Sequence, residues 1–390
     1  MRTSFAALVA VVLSLSVGPR ATAAGPYEIT AILPLTGFGA FLGTREAQAL
    51  GVLEKLVNRE GGLRGEPIKF VVLDDQSSPQ LSVQLTNAAV AKHVPVILGS
   101  SVAPMCLAMA PLVEKAGPVD YCFSPVVHPT PGGYVFSSSA GSDDIAKALV
   151  RFFRERGAAR LAVITSTDAS GQDFDREFDA ALRLAENRGV QVVAREHFNP
   201  NDVSVSAQMA RIKAADPQAL ITFTTGTPLG TVLRSFHDSG LEIPLSASAG
   251  NMIYEQMAQY KSFAPKELYF AATRGIAPDP TLRSGPIKEA QTVYFDAFKA
   301  AGLVPDFASS LAWDPTLIVV DALRRLGTDA SAQALHRYIE GLHGWTGIDG
   351  VYDFRDNPQR GIGENAMIVY RWDPSANRFL VASKPGGRVR

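Results

Sequence analysis

The sequence lacks the motifs that carry the common secreted hydrolytic and nucleotide-dependent chemistries. It contains no GxSxG, HExxH, Walker or GxGxxG pattern, and its six histidines form no cluster with metal-ligand spacing. Gly99-Ser100-Ser101 resembles a nucleophile turn, but no base is evident from the spacing. We therefore expect no enzymatic activity, no cofactor and no metal.

Cysteine is scarce. Cys106 and Cys122 are the two cysteines of the chain, and they do not form a CxxC motif. An isolated pair in an oxidising compartment is a disulfide candidate, because a helix that contains Cys106 could fold back onto a strand that ends at Cys122. Two separately buried thiols are the alternative that the sequence leaves open.

An excess of charge of either sign is also missing. The chain has 37 Lys and Arg against 38 Asp and Glu, without long blocks of one sign, which argues against nucleic acid as a partner. A long apolar run occurs only at the start, where a basic Met1-Arg2 precedes residues 5–17 and the small residues Ala21-Thr22-Ala23. This pattern predicts a signal peptide over residues 1–23 and a periplasmic location, since a buried first helix would need polar faces.

Apolar runs alternate with segments of helical period along the rest of the chain. The strands predicted first are 27–33, 68–73, 94–98 and 119–123, between helices 44–58, 79–92 and 103–115. The alternation restarts with helix 143–156 and gives strands 160–165, 190–195, 219–223 and 243–246 with helices 173–187, 204–214 and 229–239. Helices 282–301, 308–326 and 330–340 and strands 347–354 and 366–372 follow. Two α/β lobes with parallel sheets are the simplest interpretation.

Ligands of open parallel sheets bind beyond the carboxyl ends of the strands. The segments that follow the predicted strands are rich in Ser, Thr, Gly and Ala, which can present hydroxyls and main-chain N–H groups to a ligand. The same residue types also cap helices without binding anything, so each loop taken alone has two interpretations.

Several short motifs together resemble the branched-chain amino-acid-binding proteins of ABC importers. The motifs are Ile32-Leu33-Pro34-Leu35-Thr36-Gly37, Gly61-Gly62-Leu63-Arg64-Gly65, Leu73-Asp74-Asp75, Ile97-Leu98-Gly99-Ser100-Ser101, Phe123-Ser124-Pro125, Asp168-Ala169-Ser170-Gly171-Gln172, Trp313-Asp314 and Gly350-Val351-Tyr352-Asp353-Phe354. They keep their order over essentially the whole chain after residue 23.

This resemblance implies a type I periplasmic binding fold, in which two Rossmann-like lobes are joined by a three-strand hinge. The implied lobes are residues 24–139 with 272–346 and residues 140–271 with 347–390. The resemblance also implies a monomeric receptor that closes on a small molecule and delivers it to ABC permease and ATPase subunits. A ligand-sensing module for a membrane signalling partner would share this fold and is the alternative.

The departures from the family pattern concern the ligand. Where the amino-acid receptors have an acidic residue for the ligand's ammonium group, this sequence has Ala247, and Ala103 and His128 match positions where hydroxyls hold the carboxylate. Ser170 and Leu42 match two tyrosines of the family. An ammonium group without a partner would be costly to bury, so a standard amino acid is disfavoured.

The loss of the two tyrosines enlarges the pocket, so a flat or longer acid could fit. The resemblance of Asp168-Ala169-Ser170-Gly171-Gln172, Tyr121-Cys122-Phe123-Ser124-Pro125 and Arg360-Gly361 to a subgroup associated with aromatic acids implies a small carboxylate, preferably an aromatic acid. Receptors for amino acids or amides remain the alternative.

The predicted ligand contacts follow from these loops and departures. His128 could donate to a carboxylate or could be an ordinary loop histidine. Arg274 could clamp a carboxylate or could be a solvated surface residue. Phe41 could form a cavity wall or pack in the core. The full predicted set is Phe41, Leu42, Ser100, Ser101, Val102, Ala103, Val126, Val127, His128, Ser170, Thr225, Gly226, Ala247, Ser248 and Arg274.

Overall fold

The computed structural model describes residues 25–390, so the predicted signal peptide over residues 1–23 lies outside the described residues. Within residues 25–390, every helix is too short or too polar to cross a bilayer.

The first lobe is built around a five-stranded parallel sheet. Its strands are β1 (Tyr27–Leu33), β2 (Ile68–Asp74), β3 (Val96–Leu98), β4 (Val119–Cys122) and β5 (Val135–Ser137), in the order β2-β1-β3-β4-β5. Helices α1 (Ala40–Arg59), α2 (Pro79–Ala91) and α3 (Ala103–Val113) connect them. The buried strands read as apolar runs because helices cover both faces of the sheet.

The second lobe repeats this alternation. It contains helices α4 (Ser142–Glu155), α5 (Ala169–Leu182), α6 (Ser206–Ala214), α7 (Pro228–Ser239) and α8 (Tyr254–Gln259). Its strands are β6 (Arg160–Ser166), β7 (Gln191–Phe198), β8 (Ala219–Phe223), β9 (Leu245–Ala247) and β10 (Leu268–Ala272). The strands β6 to β10 pair in parallel, so their carboxyl ends lie at one edge.

The chain then returns to the first lobe before it ends in the second. Helices α9 (Pro286–Ala300), α10 (Phe307–Leu326) and α11 (Ala332–Glu340) follow β10, and α10 packs along α1. A hairpin of β11 (His343–Thr346) and β12 (Val351–Asp353) leads back to β13 (Ile368–Asp373) and β14 (Arg378–Val381). These last two strands complete a seven-stranded sheet in the order β14-β13-β10-β9-β8-β6-β7.

Two buried acids connect the segments that cross between the lobes. Asp314 of α10 accepts hydrogen bonds from the main-chain N–H groups of Ile348 and Asp349, at 3.0 and 3.1 Å. Asp349 in turn accepts one from the N–H of Gly275, at 2.9 Å. Burial, together with the smaller effect of the neighbouring Asp314, raises the pKa of Asp349 to about 8. Burial also raises the pKa of Asp314 to about 6.

The predicted elements agree with the observed ones except at several boundaries. Helix α5 begins at Ala169 instead of residue 173, because the side chain of Asp168 caps it. The tail strand predicted at 347–354 is wrong in extent, since the chain turns there between β11 and β12. The sequence analysis did not predict β5, α8, β11 or β14, which are three to six residues long.

Candidate functional site

A cavity of about 370 Å³ lies between the two lobes. It is bordered by the loops that follow β1, β3 and β4 in the first sheet and β6, β7, β8 and β9 in the second. The start of α10 also borders it. This is the place where a parallel α/β sheet offers a ligand site, and here two such edges face one another. A small molecule in the cavity would contact both lobes at once.

Aromatic rings form much of the cavity wall. Phe41 and Phe307 come from the first lobe, and Phe223 comes from the end of β8 in the second. The ring of Phe223 stacks on Phe174 behind it, with centroids 4.2 Å apart and planes 7° apart, which fixes its orientation. Phe38 also borders the cavity but is 65% exposed, so it lies at the opening. The interior therefore suits a flat apolar body.

Helices α3, α7 and α5 begin at the cavity, together with α1 and α10. Helices α3 and α7 have Val102 and Thr227 at their N-caps, and neither N-cap side chain accepts a hydrogen bond from its helix. The first turn of a helix carries main-chain N–H groups that need partners from outside, together with the positive end of the helix dipole. In α3, Pro104 has no N–H and Met105 donates to Val102, so the N–H of Ala103 is the donor that this end offers to an anionic or strongly accepting group. In α7, Pro228 has no N–H, and Leu229 and Gly230 donate to Gly226 and Thr227, so this end offers its dipole.

The third helix end is already occupied by its own cap. The Oδ1 atom of Asp168 accepts from the main-chain N–H groups of Ser170 and Gly171, at 3.1 and 3.0 Å, and from the Ser170 hydroxyl at 2.7 Å. Among the cavity-bordering residues that the structure describes, Asp168 is the only one with an ionisable side chain. Its charge is used to start α5, so it is a poor partner for a cationic ligand.

Asn251 holds together the second-lobe loops that face the cavity. Its Oδ1 atom accepts from the N–H of Gly226 at 2.8 Å. Its Nδ2 atom donates to the carbonyls of Thr224 at 2.7 Å and Ser248 at 3.2 Å. A fully buried amide with all of these partners fixes the loops after β8 and β9 relative to one another.

A buried acid lies behind the cavity wall of the first lobe. Glu46 of α1 is fully buried, and neither of its carboxyl oxygens has a hydrogen-bond partner among residues 25–390. Burial raises the pKa of Glu46 well above the usual range, an effect that the nearby Ser101 hydroxyl opposes and the carboxyl of Asp306 reinforces. The raised pKa favours the neutral form of the Glu46 carboxyl behind Ser101.

A family model for periplasmic binding proteins matches residues 26–378 of the chain. The chain belongs to this family. The match spans both lobes and confirms the resemblance that the motifs predicted. Members of the family are solute-binding proteins of transporters and not enzymes.

Individual relatives agree with this assignment. The Leu/Ile/Val-binding protein homolog 3 of Brucella melitensis is 22% identical over 385 residues, which cover 94% of this chain and 96% of the relative. An extracellular ligand-binding receptor from Rhodopseudomonas palustris HaA2 superposes with a TM-score of 0.80 at 20% identity, covering 92% of this chain and 100% of that one. A solute-binding protein of an ABC transporter from R. palustris, solved with benzoate, gives a TM-score of 0.74 at 17% identity and covers 94% of this chain and 98% of its own. The predicted type I, two-lobed fold is thereby confirmed.

Most of the predicted ligand contacts of this binding protein lie at the cavity. They come from loops of both lobes that are far apart in the sequence, and contact of each with a ligand stays a prediction. The predicted residues that border the cavity are Phe41, Leu42, Ser101, Val102, Ala103, Val126, Ser170, Thr225, Gly226 and Ser248.

Four other predicted contacts lie away from the cavity, which corrects the sequence-based set. The hydroxyl of Ser100 points into the lobe and donates to Asp75 at 2.7 Å. Val127 packs against the two cysteines. Ala247 is the buried last residue of β9 and does not reach the cavity. Arg274 is 12% exposed and pairs with Asp279 at 3.4 Å, so it is neither a ligand clamp nor a solvated surface residue.

His128 is also outside the cavity. Its Nε2 atom lies 3.0 Å from Asp173 Oδ1 and 3.2 Å from the Ser142 hydroxyl, and the hydrogen bond with Asp173 raises the pKa of His128. His128, Asp173 and Glu177 place their ligand atoms within 4.8 Å of one another. Asp173 already accepts hydrogen bonds from Ser142 and Arg176, so these contacts explain the cluster as a link between the loop after β4 and α5.

Several cavity residues were not in the predicted set. Phe38 follows β1 within a loop that the sequence marked as ligand-facing, so its aromatic side chain could have been chosen. Pro200 and Asn201 follow β7, a strand whose loop the sequence analysis did not consider. Phe307 and Leu311 belong to α10, and no local pattern in the sequence shows that this helix reaches the cleft.

Proposed function

We propose that this protein is the extracytoplasmic receptor of an ABC importer and captures a small carboxylate with a flat apolar body, an aromatic acid in preference to a standard amino acid. The observation that supports this ligand class is the composition of the cavity. Its walls are largely aromatic and aliphatic, and its one ionisable side chain, that of Asp168, already caps α5. Membership of the family supports the receptor role.

A standard amino acid would bring an ammonium group into this cavity. The position where the family's acidic residue is expected is Ala247, whose side chain is buried in β9 and cannot pair with a cation. Asp168 has hydrogen-bond partners from its own helix. A buried charge left without a partner costs several kcal/mol, about 3 to 5 when an ion pair is broken. An acid without an ammonium group avoids this cost.

The carboxylate of such a ligand would lie at the helix ends that lack a side-chain cap. The N-terminus of α3 begins at Ala103 in the first lobe, and that of α7 begins at Pro228 in the second. The N–H of Ala103 and the positive ends of the two helix dipoles would stabilise an anion without a cationic side chain. The aromatic part would then contact Phe41, Phe223 and Phe307.

Binding in this proposal is coupled to closure about a hinge. The lobes are residues 24–139 with 272–346 and residues 140–271 with 347–390, and the chain crosses between them at each boundary. Phe41 of the first lobe lies against Gly226 of the second, so the cavity walls meet when the lobes close. A ligand that contacts both lobes shifts the population toward the closed form, which the permease and ATPase subunits would receive.

The proposal is tested by a binding screen on protein that has been unfolded and refolded to remove copurified ligand. We expect benzoate, 4-hydroxybenzoate or 3-phenylpropanoate to raise the melting temperature and to bind with a micromolar or lower Kd, which corresponds to about −8 kcal/mol or better. Leucine and benzamide should bind at least about tenfold more weakly, because the first adds an ammonium group and the second lacks the charge. Isothermal titration calorimetry measures each Kd.

A matched pair of variants locates the binding in the cleft. Val102→Trp fills the cavity at the start of α3, whereas Val304→Trp adds the same ring at a residue that is 62% exposed and outside the cavity. We expect the first variant to lose binding and the second to keep it. Binding of leucine alone would contradict the ligand class and favour an amino-acid receptor, which the name of the Brucella relative also supports.

A further inference from the structure

Arg45 is a charged residue at the junction of the lobes that the cavity does not explain. It lies on α1, its side chain is 16% exposed, and it does not border the cavity. Within the first lobe, its Nη1 atom donates to Gln48 Oε1 at 3.0 Å and its Nε atom lies 3.4 Å from Asp306 Oδ2. The guanidinium group is thus held on the first lobe by two neighbours.

Asp306 forms an ion pair with Arg45 within the first lobe. Its Oδ1 atom caps α10 by accepting from the N–H and hydroxyl of Ser309, at 3.1 and 3.0 Å. Its Oδ2 atom is fully buried and has no hydrogen bond, so the ion pair with Arg45 is the contact that compensates its charge. A buried carboxylate without a partner is costly, and the pair of Arg45 with Asp306 therefore persists whether or not the lobes meet.

The remaining side of the guanidinium group faces the second lobe. Arg45 Nη2 forms an ion pair with Glu255, in the first turn of α8. Glu255 is 64% exposed, does not border the cavity, and makes no other ion pair among residues 25–390. This contact joins one lobe to the other outside the cavity, so it forms or breaks with the distance between the lobes and not with the ligand.

We propose that Arg45 is a positioning residue that favours the closed form through Glu255, and so sets the affinity of the receptor from outside its cavity; this inference rests on the hinge closure proposed above. Arg45 is held in place by Asp306 and Gln48, so the pair with Glu255 orders only one free side chain on closure. An ion pair at such an exposed site changes an equilibrium about two- to five-fold. The apparent Kd of any ligand of the closed form changes by the same factor, because that form binds it.

The test compares Glu255→Gln with a control that removes the same charge from the same lobe. Glu242→Gln is that control, because Glu242 pairs with Lys266 within the second lobe at 3.7 Å and both side chains are more than 80% exposed. The closed population of ligand-free protein is measured by paramagnetic relaxation enhancement, with a spin label at Lys92→Cys of the first lobe and reporter methyl groups of the second. The Kd for 4-hydroxybenzoate is measured by calorimetry in parallel.

We expect Glu255→Gln to lower the closed population and raise the Kd about two- to five-fold, and Glu242→Gln to match the wild type in both measurements. The difference should disappear near 1 M salt, where exposed charges are screened. Equal relaxation profiles for the two variants would contradict the proposal. A wild type without a detectable closed population would contradict it as well. If 4-hydroxybenzoate binds none of the proteins, the proposed ligand class is wrong, while the ligand-free measurement still decides the role of Arg45.

Discussion

Gly226 shows how a single residue controls the approach of the lobes. Its φ of +89° is in the left-handed region, where a side chain is strained. A Cβ atom at this position would lie 3.2 Å from Cε1 of Phe41, which belongs to the opposite lobe. The strain affects the second lobe alone in any state, whereas the contact with Phe41 exists only where the lobes meet. Stability and closure therefore depend on this residue for different reasons.

We predict that Gly226→Ala lowers both stability and affinity. The left-handed backbone should cost about 1 to 2 kcal/mol of unfolding free energy. The contact with Phe41 should weaken binding of the cavity's ligand several-fold, since it opposes closure. Urea denaturation measures the first effect, and titration with the acid found in the screen measures the second.

Gly240→Ala is the control for this prediction. Gly240 has a φ of +68° at the end of α7, and a Cβ atom there would meet only the flexible end of Lys213, at 3.6 Å. This variant should lose a similar stability and keep the wild-type affinity. If both variants bind as tightly as the wild type, Phe41 and Gly226 do not meet in the bound form.

Single residues were predicted best where chain position decided their place. Ser101, Ser170 and Ser248 follow strands, and the carboxyl ends of parallel strands share an edge, so their position at the cavity could be predicted. His128 and Arg274 lie outside the cavity, where each has a partner that sequence spacing does not show: Asp173 lies 45 residues from His128, and Asp279 follows Arg274 in the turn after β10. The partner of a charged side chain depends on the three-dimensional fold, and spacing along the sequence does not give the distance between two side chains.

At the scale of elements, the pairing of α3 with β4 is reinforced by a covalent bond. Cys106 of α3 and Cys122 of β4 form a disulfide, with Cα atoms 6.0 Å apart and 16 residues apart in sequence. Both residues are fully buried. The N-terminus of α3 borders the cavity and lacks a side-chain cap, so this bond holds an uncapped helix end against the sheet.

We predict that the double variant Cys106→Ala with Cys122→Ala is less stable by about 2 to 4 kcal/mol. Closing a loop of this length restricts the unfolded chain by about 3 kcal/mol at 25 °C. Urea denaturation with and without a reducing agent measures the difference. The reductant should destabilise the wild type and leave the variant unchanged. Equal stabilities of oxidised wild type and variant would mean that the thiols are not joined in solution.

The elements of this protein could be predicted because its strands are buried on both faces. Strands such as Tyr27–Leu33 and Ala219–Phe223 read as continuous apolar runs between amphipathic helices, and both have the predicted bounds. Short elements at the sheet edges escaped prediction, since three or four residues such as Val135–Ser137 give no measurable period. The course of α10 along α1 depends on tertiary packing, which periodicity does not specify.

At the scale of the whole molecule, two buried acids connect two of the three segments that cross between the lobes. Asp314 holds the segment before β12, and Asp349 within that segment holds the one after β10. The pKa of Asp349 is raised to about 8, far above the ordinary value of 3.8. The folded protein therefore keeps a proton on Asp349 between pH 4 and pH 8, whereas the unfolded chain releases it. Across this window, the free energy of unfolding must fall as the pH rises, and above about pH 8 this contribution stops changing.

We predict that Asp349→Asn removes much of this pH dependence. Asparagine keeps an oxygen for the N–H of Gly275 and carries no charge beside Asp314, so it mimics the protonated acid. Relative to the wild type, the variant should gain about 1 to 2 kcal/mol of stability between pH 6 and pH 8, as measured by urea denaturation at each pH. Asp356→Asn, at an exposed residue near the same segment, should follow the wild-type curve. Parallel curves for Asp349→Asn and the wild type would show that Asp349 is ionised in the folded hinge, and that its partners hold it there as a charged group.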